Sequence, residues 1–152
     1  MKTAFFENVK LLNQYFEISP LMFGSLGLEY ITGESLEADD IDILIPEIFL
    51  NEKWKEFKRV LSDNGYVLVD EHEHTFLKNG NHFSYASIEG LEPFAGIDLS
   101  EIEQRSYGEI CFKVLSLEQY LKVYCASVKD GYRINVRQKK DNEKIEFIKK
   151  HL

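Results

Sequence analysis

The sequence predicts an α+β (mixed α/β) fold in one domain spanning residues 1–152: a mixed β-sheet flanked by helices. Three observations carry that expectation. Apolar residues recur at helical spacing near both ends, as Phe5, Val9, Leu12 and Phe16 and again as Ile145, Ile148 and Leu152. Ile41 to Ile45 form a short apolar run rich in isoleucine and closed by Pro46. Asn79-Gly80 sits between two strand-like segments and marks a hairpin.

The elements follow in order. A first helix covers Thr3 to Phe16 and is broken by Ser19-Pro20. Leu21 to Phe23 form a short strand that ends at Gly24-Ser25, and a short helix from about Leu26 stops before Gly33. Glu34 to Asp39 read as an acidic loop ahead of the Ile41–Ile45 strand. A helix from about Asn51 to Asn64 buries Trp54, Phe57, Val60 and Leu61, with Gly65 as its C-terminal cap. Tyr66 to Val69, His74 to Leu77, His82 to Ile88, Gly96 to Leu99 and Ile110 to Val114 read as strands. Ser116 and Gln119 have the spacing of a capping box, opening a helix that runs towards Lys129. A last helix is expected to start near Asp141, giving a sheet of roughly five to seven strands between helices.

Bulk properties restrict the function. A hydrophobic fraction of 44% and a charged fraction of 29% describe a globular chain rather than a disordered one. No apolar run approaches the roughly 20 residues of a membrane span, and the N-terminus lacks a signal-peptide pattern. Cys111 and Cys125 form no disulfide framework, as expected of thiols in a reducing cytoplasm. The net charge of −8 argues against a long nucleic acid as the main partner.

The chemistry concentrates in three places. In Asp40-Ile41-Asp42-Ile43, strand alternation points both carboxylates to one face, roughly 7 Å apart at their Cα atoms. Like charges so placed favour a divalent cation between them, and Mg²⁺ prefers carboxylate oxygen, water and phosphate. The other reading is a solvated edge strand, against which the apolar run Ile43–Ile45 speaks. Asp98 joins the pair if its segment lies beside that strand; otherwise it is a single aspartate before a turn. In Phe23-Gly24-Ser25-Leu26-Gly27, glycine lets the backbone approach a ligand, and the following helix offers free N–H groups to a phosphate.

Together, the text FGSLGLEYITGESLEADDIDILIP resembles the signature of the nucleotidyltransferase superfamily. The resemblance implies the nucleotidyltransferase fold. It implies that Gly24 and Ser25 bind a nucleoside triphosphate, that Asp40 and Asp42 ligate Mg²⁺ or Mn²⁺, and that Asp98 is the third carboxylate, a ligand and base. The later text, with Ser116-Leu117-Glu118 and Lys140-Asp141, resembles the small bacterial branch, which includes lincosamide-modifying enzymes and abortive-infection toxins. In that setting Lys140 neutralises phosphate charge; alternatively it is a solvated residue beside an Asp141 N-cap. No arginine follows Gly24-Ser25, so the triphosphate charge is met elsewhere.

The implied activity is transfer of an NMP from an NTP to a hydroxyl on a small molecule, a protein or an RNA end, with release of pyrophosphate. The alternative is a catalytically silent nucleotide-binding or interaction module, such as half of a toxin–antitoxin pair. Weaker candidates remain. His72 and His74 share the spacing of a zinc pair but lack a third partner and read as surface residues. Tyr120, Tyr124 and Tyr132 can stack on a base, the first two reading rather as packing residues. Arg133 and Arg137, beyond the Asp130-Gly131 turn, are cations that can reach a phosphate.

Overall fold

The sequence pattern becomes one seven-stranded mixed sheet with helices on both faces, in a computed structural model that describes residues 1–129 and 135–152. The helices are α1 (Lys2–Phe16), α2 (Gly24–Thr32), α3 (Trp54–Asp63), α4 (Leu91–Ala95), α5 (Leu117–Lys129) and α6 (Asn135–His151). The strands are β1 (Leu21–Phe23), β2 (Asp40–Ile45), β3 (Val67–Asp70), β4 (Thr75–Lys78), β5 (Asn81–Ser87), β6 (Glu103–Tyr107) and β7 (Ile110–Val114). They lie in the order β3-β4-β5-β2-β1-β7-β6. β2 is therefore the middle strand, antiparallel to β1 and parallel to β5.

Each face of the sheet has its own core. Ile41, Ile43 and Ile45 bury fully with Met22, Phe83 and Tyr85 against α1 and α3, where Phe5, Val9, Phe57 and Leu61 complete the cluster. Leu21 and Leu44 point the other way, into a second cluster with Tyr120, Val123, Ile145 and Ile148 of α5 and α6. A fully buried side chain of this size contributes about 1.5–3 kcal/mol. Three such isoleucines on one side of β2 lock its register, because a one-residue slip would drive Asp40 and Asp42 into the core.

Local signals explain where elements begin and end. The Gln119 amide donates to Ser116 Oγ at 3.1 Å, and the Ser116 amide donates to Gln119 Oε1 at 2.9 Å. This is the expected capping box, closed in both directions. Gly65 adopts φ +88° just past α3, and Asn79-Gly80 joins β4 to β5 with both residues at positive φ.

Two expectations are corrected. Gly96–Leu99 is not a strand: Gly96 caps α4 at φ +68°, and Asp98 caps a single 3-10 turn over Leu99–Glu101. The pattern Gly-Ile-Asp-Leu satisfies period-2 alternation, but so short a run is also what a capped turn with one buried residue, Ile97, looks like. The last helix starts at Asn135 rather than near Asp141, so Asp141 is an interior residue and no N-cap. The β6 strand, Glu103–Tyr107, went unread because its sequence EQRSY carries no apolar face. Tyr132, Arg133 and the Asp130-Gly131 turn lie outside the described residues, as does the side chain of Arg137.

Gly27 is a point where the fold tolerates no side chain. A Cβ there would lie 2.1 Å from the Tyr120 hydroxyl and 2.6 Å from the Met22 carbonyl oxygen, the second of which is backbone and cannot yield. We expect Gly27→Ala to lower unfolding free energy by about 1–3 kcal/mol in urea denaturation; an unchanged midpoint contradicts this packing.

Candidate functional site

One cleft of about 600 Å³ opens over the carboxylate face of β2. Gly24, Ser25, Asp40 and Asp42 line it from the sheet side, and Lys140, Asp141 and Lys144 line it from α6. Tyr124 of α5 and Phe94 of α4 supply aromatic walls. The structure thus brings Gly24, Ser25, Asp40, Asp42 and Lys140 to one place.

The glycine turn is built against the second carboxylate. Gly24 adopts φ +64°, and a Cβ on it would lie 2.6 Å from Asp42 Oδ2. Glycine is therefore required here for both conformation and space. Phe23 pairs with Asp42 across β1 and β2, which sets the turn beside the carboxylate. Behind the turn, the fully buried Tyr120 hydroxyl lies 3.3 Å from the Met22 carbonyl oxygen and 3.4 Å from that of Gly24. Burial, with Tyr124 and Asp42 nearby, pushes the Tyr120 phenol well above its ordinary range, so it remains a donor. The α2 helix begins at Gly24, so its first N–H groups face the cleft end of the turn.

Asp98 is not among the cleft residues. Its Oδ1 accepts from the Ser100 hydroxyl at 2.7 Å and the Ser100 amide at 2.9 Å, which hold its carboxyl below the ordinary value. On the strand beside β2, the residues in register with Asp42 and Leu44 are Ser84 and Ala86, so β5 contributes no carboxylate at these positions of that face. Among the described residues, no group of three or more His, Cys, Asp or Glu side chains is placed to hold a metal ion, the His72–His74 pair included.

Asp39 and Lys144 enter the cleft although the sequence did not point to them as site residues, and Asp141 and Tyr124 line it beside them. Asp39, the last residue of the acidic loop, precedes the first residue of β2, where strand alternation does not apply. Lys144 lies one turn beyond Lys140 on α6, and its ammonium sits 5.7 Å from the centroid of the Tyr124 ring. The i, i+4 spacing of the two lysines was the available signal. Asp141, 6% exposed, faces the cleft between them. Tyr124 stacks on Tyr120 at 6.2 Å, so it packs as expected while also lining the cleft.

The loop that delivers Asp39 and Asp40 is tied at both ends. Glu29 Oε1 accepts from the amides of Leu36 and Ala38 at 2.8 and 3.0 Å. At the far end of α6, His151 Nδ1 lies 2.8 Å from the Phe147 carbonyl oxygen and Nε2 lies 3.2 Å from Glu34 Oε1. Only the doubly protonated ring donates to both oxygens, so Phe147 first and then Glu34 raise the imidazole above its ordinary value.

No protein-family model matches the chain. It is 42% identical over 146 residues to the uncharacterized protein YnaI of Bacillus subtilis (strain 168), covering 96% of this chain and 94% of that one. Among solved structures it resembles the lincosamide antibiotic adenylyltransferase LnuA in its lincomycin-bound form. That likeness has a TM-score of 0.57 and 16% identity, over 98% of this chain and 96% of the other. It also resembles ANT(2")-Ia in complex with adenylyl-2"-tobramycin, with a TM-score of 0.51 and 10% identity over 99% and 95%. These likenesses show the nucleotidyltransferase fold.

Two outcomes test the site. Gly24→Ala forces a Cβ into the Asp42 carboxylate at a position with φ +64°, and we expect urea denaturation to show a loss of about 1–3 kcal/mol; an unchanged midpoint contradicts this geometry. The His151 link is strongest below the imidazole's unfolded value, near 6.5, and is lost as pH rises through the higher folded value. An NMR titration should place the His151 midpoint above 6.5, and Glu34→Gln should lower it; no difference between the two proteins refutes the pairing.

Proposed function

The chain belongs to the family of Bacillus subtilis YnaI, and from that premise and its nucleotidyltransferase fold we propose that it transfers an NMP from a nucleoside triphosphate to a hydroxyl acceptor. The observation that supports this most is the composition of the cleft over β2: a glycine turn at a helix N-terminus, two strand carboxylates and two lysines face one space.

Each part has a task in that reading. The Gly24-Ser25 turn and the first N–H groups of α2 bind triphosphate oxygens, with the Ser25 hydroxyl donating alongside. Lys140 and Lys144 balance phosphate charge from α6, the part an arginine after Ser25 would otherwise play. Asp40 and Asp42 hold Mg²⁺ or Mn²⁺. Their donor set fits that ion, which uses one or two carboxylates, waters and substrate phosphates rather than an all-protein cage. When bound, it supplies positive charge that stabilises the transferring phosphoryl group and acidifies the acceptor hydroxyl. The acceptor oxygen forms a bond to the α-phosphorus, the bond from that phosphorus to the bridging oxygen breaks, and pyrophosphate leaves. The hydroxyl proton passes to solvent. Tyr120 keeps the turn in place from behind and is a positioning residue.

A second reading is favoured by the place of Asp98, which stands outside the cleft lining. With Asp98 engaged by Ser100 and Ser84 standing beside Asp42, the domain suits nucleotide binding without turnover, as a sensor or one half of a toxin–antitoxin pair. Metal-dependent NTP binding by calorimetry, no pyrophosphate release and a co-purifying partner favour this module over the enzyme.

Pyrophosphate release measured across the four common NTPs tests the enzyme directly. Chelation with EDTA should abolish it, and Mg²⁺ or Mn²⁺ should restore it. Asp42→Asn should reduce the rate about 10²-fold or more, the usual scale for losing one group that stabilises charge at the reacting centre. Lys140→Ala and Lys144→Ala should each weaken NTP binding about tenfold. Full activity in Asp42→Asn would falsify the assignment.

A further inference from the structure

We infer that a second cavity, on the far side of Asp42 from the lysines, is the acceptor site, and that it takes a small hydroxyl compound bearing no anionic group. The inference rests on the nucleotidyl-transfer reading above and adds the location and charge class of the second substrate.

The cavity holds about 490 Å³, within the usual 300–1,000 Å³ of small-molecule sites. It shares Phe23, Asp42, Leu44 and Ser87 with the first cleft, so the two spaces meet at one carboxylate. It does not include Gly24, Ser25, Lys140 or Lys144. In-line displacement requires the entering oxygen and the departing pyrophosphate to lie on opposite sides of the α-phosphorus. With the pyrophosphate held by the glycine turn and the lysines, the entering hydroxyl comes from the other side of Asp42, where this cavity lies.

Its walls differ in charge from those of the first cleft. Glu47 and Glu73 join Asp42 in the lining, and neither lysine nor arginine is present there. His72 and His74 also line it, His72 Nε2 lying 3.9 Å from Glu73 Oε1, but three carboxylates outnumber two imidazoles. A phosphate-bearing acceptor would therefore meet net negative charge even with both rings protonated, whereas a neutral or amine-bearing alcohol would not be repelled. Asp42 and Ser84 stand side by side in the lining, in register across β2 and β5. The Ser84 hydroxyl, 2.8 Å from that of Thr75 on β4, and Ser87 suit the lining to hydroxyl recognition. Leu50 and Ala86 are among its apolar residues.

The test uses the full ¹⁵N-labelled chain with Mg²⁺ and α,β-methylene ATP, titrated with ethanolamine, glycerol or glycerol 3-phosphate. We expect ethanolamine and glycerol to shift the amides of Asn51, His74 and Ala86, with glycerol 3-phosphate at least fivefold weaker. In the double variant Glu47→Lys/Glu73→Lys, both sites being exposed and tolerant of substitution, the order should reverse in favour of glycerol 3-phosphate. Equal binding of the anionic probe to the unaltered chain, no binding of the other two, or an order unmoved by charge reversal overturns the acceptor site alone. Absence of nucleotide-induced shifts at Gly24 and Ser25 overturns the nucleotidyl-transfer reading, and this site with it.

Discussion

The structure depends on the two-sidedness of β2. This strand is the middle of seven, and its three odd-numbered isoleucines are fully buried against α1 and α3. That burial leaves Asp40 and Asp42 no orientation other than the opposite face. The carboxylates are held by packing on the far side of the sheet, at a position where a strand slip would cost both the isoleucine burial and two buried charges. The acidic pair is thus as rigid as the core that backs it.

The rest of the cleft is arranged around this pair. β1 is antiparallel to β2, and its last residue, Phe23, stands opposite Asp42. The chain must then leave the sheet at once, and Gly24 lets it do so in a left-handed conformation with its backbone against the Asp42 carboxylate. The second glycine of the motif serves a different purpose. Gly27 leaves room for Tyr120, whose hydroxyl reaches the carbonyl oxygens on either side of the turn. A helix far along the chain therefore braces a turn near its beginning, coupling α5 packing to the shape of the site.

Charge is divided in space. The chain is acidic overall at −8, yet α6 turns Lys140 and Lys144 towards the carboxylates of β2. Lys140 and Lys144 share this groove with Asp39, Asp40, Asp42 and Asp141, so charges of both signs line it. Beyond Asp42 the balance changes, because Glu47 and Glu73 appear with no lysine or arginine beside them. The two spaces meeting at Asp42 are therefore unlike in charge although continuous in shape.

The sequence by itself determined the mixed sheet between helices, the orientation of Asp40 and Asp42, the glycine turn at the mouth of α2 and the Ser116–Gln119 cap. These features are local: alternation, backbone sterics and a three-residue reach fix them before any distant contact forms. Tertiary structure decided what lies beside them. Asp98 fits an alternating pattern, but its short segment has stronger local partners in Ser100 and becomes a cap. Asp141 and Lys144 belong to the cleft only because α6 starts at Asn135 and packs on α5, and β6 exists only because β7 offers its edge to a polar segment. Contacts between residues far apart in the chain have no period to announce them, so the partners of a site are written in the packing and its centre in the strand.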